Sequence, residues 1–218
     1  MLKCKLIIFD LDGTLLNTFE DLGNSVNYVL KKYGYPLHSM DNYKTFIGNG
    51  IDNLLTRSLP EDFADGEKFQ CIRKDFVEHY EAHKYDLTRP YEGILNLLRE
   101  LSEKEIQLAV ASNKYDAATK ELVARYFGEF EFQAVLGHRE DKPKKPNPTI
   151  VYDILESTGI SNEETLYVGD SAVDMKTAYN SDVRSVGVTW GFRSEEELRE
   201  NYADFIVHHP QEILQIVD

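Results

Sequence analysis

The chain has 218 residues, with 24 Lys and Arg against 38 Asp and Glu, a formal net charge of −14 and a sequence isoelectric point near 4.9. Such an acidic surface repels polyanions at long range, which excludes a general nucleic-acid binder and requires any phosphate site to be a local gathering of positive charge. With 42% hydrophobic and 11% aromatic residues, the composition supports a packed core of one large domain, or of a domain of about 130 residues with a smaller companion.

The first apolar run, Leu6 to Phe9, is closed by Asp10 and is too short for a signal peptide's apolar region or a membrane span. It reads as a buried strand. Further runs of the same kind are Ile106 to Ala111, ending at Ser112, and Phe132 to Leu136, ending at Gly137. Leu166 to Val168 ends at Gly169-Asp170, and Val183 to Val188 ends at Thr189. Between them lie stretches with apolar residues at helical spacing, such as Ile94, Leu97, Leu98 and Leu101, and Ile150, Tyr152, Ile154 and Leu155. Short buried runs alternating with amphipathic helices predict an α/β fold with a Rossmann-like parallel sheet.

One interval breaks the rhythm. About 95 residues separate the first two runs, where a crossover needs only a dozen or more. The interval carries helical patterns (Val26, Tyr28, Val29 and Leu30; Phe69, Ile72, Phe76 and Tyr80) and no strand-like run. Residues 16 to 86 are therefore expected to form an inserted helical cap domain, leaving a discontinuous core of residues 1 to 15 and 87 to 218. The two cysteines, Cys4 and Cys71, suggest neither a disulfide framework nor a zinc cluster. Reduced thiols and a cytoplasmic location are the expectation, with no membrane partner.

Ligands of an open α/β sheet bind beyond the carboxyl ends of its strands. Those ends deliver Asp10 and Asp12, then Ser112 and Asn113, then Lys145 from a loop, then Asp170 with Asp174 shortly after. Carboxylates gathered at one edge repel one another unless a cation neutralises them, and oxygen-only ligands favour magnesium. Asp10, Asp12, Asp170 and Asp174 are the candidate ligands. Asp10 and Asp12 stand two apart, so one carboxylate can lie beside the metal while the other moves a proton, and Gly13 permits the turn that follows. Ser112 and Asn113 can donate to a phosphoryl group, and Lys145 can neutralise its charge.

These residues fall in four strings: Asp10-Leu11-Asp12-Gly13-Thr14-Leu15, Ala111-Ser112-Asn113-Lys114, Lys145-Pro146-Asn147-Pro148 and Gly169-Asp170-Ser171-Ala172-Val173-Asp174. In order and spacing the set resembles the motifs of the haloacid dehalogenase-like hydrolases. The helical insert resembles that family's small cap, and Gly48-Asn49-Gly50 and Trp190-Gly191 resemble its phosphoglycolate phosphatase branch. The resemblance implies that Asp10 attacks phosphorus to form an aspartyl-phosphate. Asp12 would protonate the leaving alcohol and then activate water. It further implies magnesium on Asp10, the Asp12 carbonyl and Asp170, with Asp174 holding the metal through water or orienting Lys145. Asn17 stands where many relatives carry Asp, and no catalytic role is assigned to it.

Simpler readings compete at several positions. Asp10 or Asp170 alone could form a turn, and Ser112 and Asn113 could cap a helix running through Ala117, Leu122 and Val123. Asn49, Gly50 and Arg57 are candidate substrate contacts in the cap, with an ordinary loop and helix face as the alternative. Lys114 is expected at the surface, the histidines are expected to be structural or exposed, and the acidic runs at 163–164 and 195–197 are expected to open helices. The function expected is a Mg2+-dependent phosphatase acting on a small phosphorylated metabolite such as phosphoglycolate, as a monomer or homodimer. A β-phosphoglucomutase or pyrophosphatase of the same family would share the core residues. A phosphoacceptor signalling module also gathers Asp, Ser and Lys, but is far shorter and has no insert.

Overall fold

The computed structural model describes residues 3–217. The chain divides into two compact units, one made of residues up to Leu16 together with those from Pro90 onward, the other of Asn17–Arg89.

The first unit is built on a parallel sheet. In chain order its elements are β1 (Leu6–Phe9), α5 (Ile94–Glu103), β4 (Gln107–Tyr115), α6 (Asp116–Phe127), β5 (Phe132–His138), α7 (Thr149–Thr158), β6 (Thr165–Gly169), α8 (Ala172–Asn180), β7 (Arg184–Val188), α9 (Glu195–Glu200) and β8 (Phe205–Val207). The second unit holds α1 (Phe19–Tyr33), α2 (Met40–Phe46), α3 (Ile51–Ser58) and α4 (Gly66–His83). Two short strands, β2 (Leu16–Asn17) and β3 (Arg89–Pro90), pair where the chain leaves the first unit and returns to it.

The six strands of the main sheet run in the order β5-β4-β1-β6-β7-β8, all parallel. β1 is central and every one of its side chains is buried, which explains a run apolar at each position rather than at alternate ones. One face is covered by α7 and α8, where Leu6, Ile8, Ala109, Ala111, Val151, Ile154 and Tyr167 form a continuous core. α5 buries Ile94, Leu97, Leu98 and Leu101, the stripe that its spacing announces. α9 begins behind Ser194, whose Oγ accepts from Glu197 N at 3.2 Å, and Glu195, Glu196 and Glu197 occupy its first turn as expected. Glu163 and Glu164 open no α-helix; they lie in a single 3-10 turn, Asn162–Glu164, leading into β6.

The insert, expected over residues 16 to 86, extends to Arg89. The reason is Asp21, buried on α1. Its carboxylate accepts from the backbone N–H of Leu87 at 3.1 Å and of Thr88 at 2.8 Å, and from the Thr88 hydroxyl at 2.8 Å, so residues beyond 86 are tied to this unit. Within it α1 packs against α4, which starts behind Asp65, whose side chain accepts from Lys68 N at 2.9 Å. Among the described residues no helix is long and apolar enough to cross a membrane.

Candidate active site

Strand register brings the sequence's distant carboxylates together. Phe9 of β1 stands opposite Val110 of β4 on one side and Val168 of β6 on the other. By this register Asp10, Ala111 and Gly169 fall in one row across β1, β4 and β6, with Ser112 and Asp170 a residue beyond. Asp10 N donates to Val168 O at 2.9 Å, which fixes the step from strand to loop. Among the described residues one group of carboxylates could hold a metal ion, that of Asp10, Asp170 and Asp174, all buried, with ligand atoms within 4.8 Å of one another.

Lys145 binds this cluster together. Its ammonium donates to Asp10 Oδ1 at 2.8 Å, to Asp174 Oδ1 at 2.7 Å and to Ala111 O at 2.9 Å, and its side chain is only 2% exposed. Burial works against the lysine's charge, but the facing carboxylates of Asp10 and Asp174 outweigh it and hold the group protonated well above its ordinary range. Asn113 positions this lysine, accepting from Lys145 N at 2.9 Å and donating to Lys145 O at 3.2 Å. Both ends of the Asn113 amide are thus engaged by the Lys145 backbone.

Asp174 is held at the start of α8 by a capping box. Its Oδ2 accepts from Ser171 Oγ at 2.5 Å and from Ser171 N at 3.2 Å. Gly169 makes this possible, because a Cβ there would overlap the Asp174 side chain. Asp170 is aimed by the loop after β7: Phe192 N donates to its Oδ2 at 2.7 Å, and Trp190 Nε1 donates to Thr14 O at 3.0 Å, fastening that loop to the turn after β1.

The acids carry the electrostatic cost of their gathering. Burial, then the Asp174 charge acting against the help of Lys145, pushes Asp10 up to about 7. Burial, then Asp174 and Asp10, pushes Asp170 well above the usual carboxylate range. Oδ2 of Asp10 and Oδ1 of Asp170 accept no hydrogen bond among the described residues. Two adjacent, mutually repelling carboxylates with an open oxygen each, and no His or Cys beside them, fit a hard divalent cation such as Mg2+.

Asp12 stands outside this cluster. Its carboxylate accepts from Lys114 Nζ at 3.0 Å and 3.1 Å, so among the expected metal ligands its side chain is bonded to an ammonium instead. The expectation of a surface Lys114 is overturned by the same contact, since the residue is only 7% exposed. Ser112 and Asn113 do not cap a helix: β4 continues through Tyr115 and α6 starts at Asp116. Ser112 is buried, and its Oγ accepts from Lys114 N at 3.2 Å, leaving its own proton to donate. In the helical unit, Gly50 precedes α3 with φ of 83°. Arg57 donates to the carbonyls of Phe46 at 3.1 Å and Thr45 at 3.3 Å, closing the end of α2. With its amide oxygen turned to the guanidinium, Asn49 accepts from Arg57 at 2.8 Å, so these candidate contacts are neighbours.

Sequence reasoning missed two groups. Tyr91 is held protonated by burial and by the Asp170 and Asp12 charges, and its only signal was its place after Arg89-Pro90 at the return to the core. Tyr167, on β6, lies 3.0 Å from Lys145 Nζ and had no signal within an apolar run.

Buried acids joined by a lysine at the edge of a parallel sheet form a place suited to a cation and an anionic substrate. Residues 7–188 match the family model described as haloacid dehalogenase-like hydrolase, and the chain belongs to that family. It is 30% identical over 207 residues to a phosphoglycolate phosphatase of Aliivibrio fischeri, covering 93% of this chain and 91% of the relative. To that of Vibrio parahaemolyticus it is 30% identical, covering 98% and 96%. The crystal structure of a predicted phosphoglycolate phosphatase from Haemophilus somnus superposes with a TM-score of 0.92 at 29% identity, covering 99% of each chain. Within the family the chain stands in the phosphoglycolate phosphatase-like branch, and it is an enzyme of the phosphatase kind.

Proposed function

We propose that this enzyme hydrolyses a small phosphate monoester of the phosphoglycolate type, with Mg2+, through phosphorylation of Asp10. The observation that carries the reading is the meeting of Asp10, Asp170 and Asp174 around one point, with Lys145 bonded to two of them. Mg2+, held by Asp10 and Asp170, would offset the carboxylates' mutual repulsion and the charge of the phosphoryl oxygens. Asp174 acts by orienting Lys145, and the Asp12 carbonyl remains a candidate further ligand.

The chain's own groups divide the work. The open oxygen of Asp10 attacks phosphorus, an O–P bond forms, and the bond to the leaving alcohol breaks. Asp12, which must carry a proton in the substrate complex rather than face Lys114 with two ionised oxygens, gives that proton to the departing oxygen. It then takes a proton from the water that attacks the aspartyl-phosphate, so that inorganic phosphate leaves and Asp10 is restored. Ser112 Oγ and Lys145 Nζ bind phosphoryl oxygens where negative charge develops. Outside this centre, the helical unit serves as a cap, with Asn49, Gly50 and Arg57 as its substrate contacts. The enzyme works in the cytoplasm, where the free thiols of Cys4 and Cys71 stay reduced.

Phosphate release from phosphoglycolate, with MgCl2 and with EDTA, tests the reading. Release that needs the metal and disappears in Asp10→Asn is expected; equal release by Asp10→Asn contradicts it.

A further inference from the structure

Lys114 places a second cation at Asp12, the group to which the proposed mechanism gives the leaving oxygen's proton. Its Nζ bonds both oxygens of the Asp12 carboxylate, and the two side chains are 4% and 13% exposed. Its backbone is fixed as well: its N–H donates to Ser112 Oγ at 3.2 Å, and its carbonyl accepts from Thr119 Oγ1 at 3.3 Å. The ammonium therefore has a defined place relative to Asp12.

That place has a consequence for substrate choice. For Asp12 to protonate the leaving oxygen, that oxygen must come within about 3 Å of the carboxylate. A group borne on the first carbon beyond the oxygen then comes within reach of an ammonium that lies 3.0 Å from the same carboxylate. Lys145 is committed to Asp10 and Asp174, so a substrate carrying an anion besides its phosphate needs another cation. In a chain of net charge −14 such a cation must be local.

We propose that Lys114 is a specificity-determining residue whose ammonium binds a carboxylate carried next to the ester carbon, so that the site favours phosphate esters of 2-hydroxy carboxylates over esters of neutral alcohols. Asp12 serves as the ammonium's partner when no substrate is bound, and the substrate carboxylate shares it during turnover. The inference rests on the phosphoglycolate reading above and names the residue that recognises the substrate's carboxylate.

The test compares phosphoglycolate with ethyl phosphate, which has the same chain length and no carboxylate. In the unaltered enzyme with Mg2+, kcat/KM should favour phosphoglycolate by about 10- to 100-fold, the worth of one charge-assisted hydrogen bond. Lys114→Met should remove most of that preference, chiefly through KM for phosphoglycolate, and Lys114→Arg should restore part of it. An unaltered enzyme that hydrolyses both esters equally overturns the assignment without need of a variant. So does a Lys114→Met variant that loses the same factor on both esters, since the lysine would then act only through Asp12. If the unaltered enzyme releases phosphate from neither ester, the phosphoglycolate reading falls and this inference with it.

Discussion

The Lys145 ammonium lies 2.8 Å from the Asp10 carboxylate, a contact between residues 135 positions apart that joins the loop before α7 to the end of the central strand. Removing one partner of a buried ion pair leaves an uncompensated charge, at about 3–5 kcal/mol. Lys145→Met should therefore lower stability by that order in EDTA, as well as abolish turnover. Mg2+ should recover part of the stability and none of the activity. Urea unfolding with and without the ion checks this, and a variant as stable as the parent in EDTA would show that the lysine does not hold the acids together.

Gly13 makes the turn after β1 at φ of +90°, and a Cβ there would overlap the Asp170 carboxylate. Gly13→Ala should cost about 1–2 kcal/mol from backbone conformation alone and displace Asp170 besides. The expected result is weaker Mg2+ binding by calorimetry, with activity lost more than tenfold. Unchanged metal affinity would place Asp170 outside the ion's reach.

The proton on Asp10 gives stability a pH dependence. Its carboxyl is raised from 3.8 to about 7 in the folded chain, by burial first and then by the Asp174 charge against the pull of Lys145, so the folded state keeps a proton that the unfolded state loses. The contribution is fully present below the unfolded value and is lost as pH rises through about 7, and Asp170 acts in the same direction. The melting temperature in EDTA should accordingly fall between about pH 5 and about pH 8 on this account, while the increment given by Mg2+ grows, because ion and proton compete for the same oxygens. A Mg2+ increment that shrinks over that window would contradict it.

In the helical unit, Asp21→Ala would orphan the N–H groups of Leu87 and Thr88. Each lost charge-assisted bond is worth about 1.5–3 kcal/mol. The expected outcome is a loss of several kcal/mol, with faster hydrogen exchange at residues 87–88. Unaltered exchange there would mean that the carboxylate does not anchor this segment.

The parts of the molecule legible in the sequence were those where one force dominates. β1 and β6 are buried on both faces, so their apolar runs stand out, and Asp10 and Asp170 are conspicuous as the charges that end them. β8 was not foreseen: three residues at the sheet's edge, only Val207 of them buried, carry too little pattern. Lys114 was misplaced because a lysine is ordinarily solvated, and its burial depends on Asp12, 102 positions away. The tie between Asp21 and Thr88 was hidden for the same reason, since an acid on an amphipathic helix gives no sign of a partner 67 positions on.

The most direct test of the account is to identify the atom that is phosphorylated. The enzyme, mixed with phosphoglycolate and Mg2+ and quenched in acid during turnover, should yield one phosphorylated peptide, the one carrying Asp10, and Asp10→Asn should yield none. Phosphate found on another residue, or steady turnover by Asp10→Asn, would contradict it.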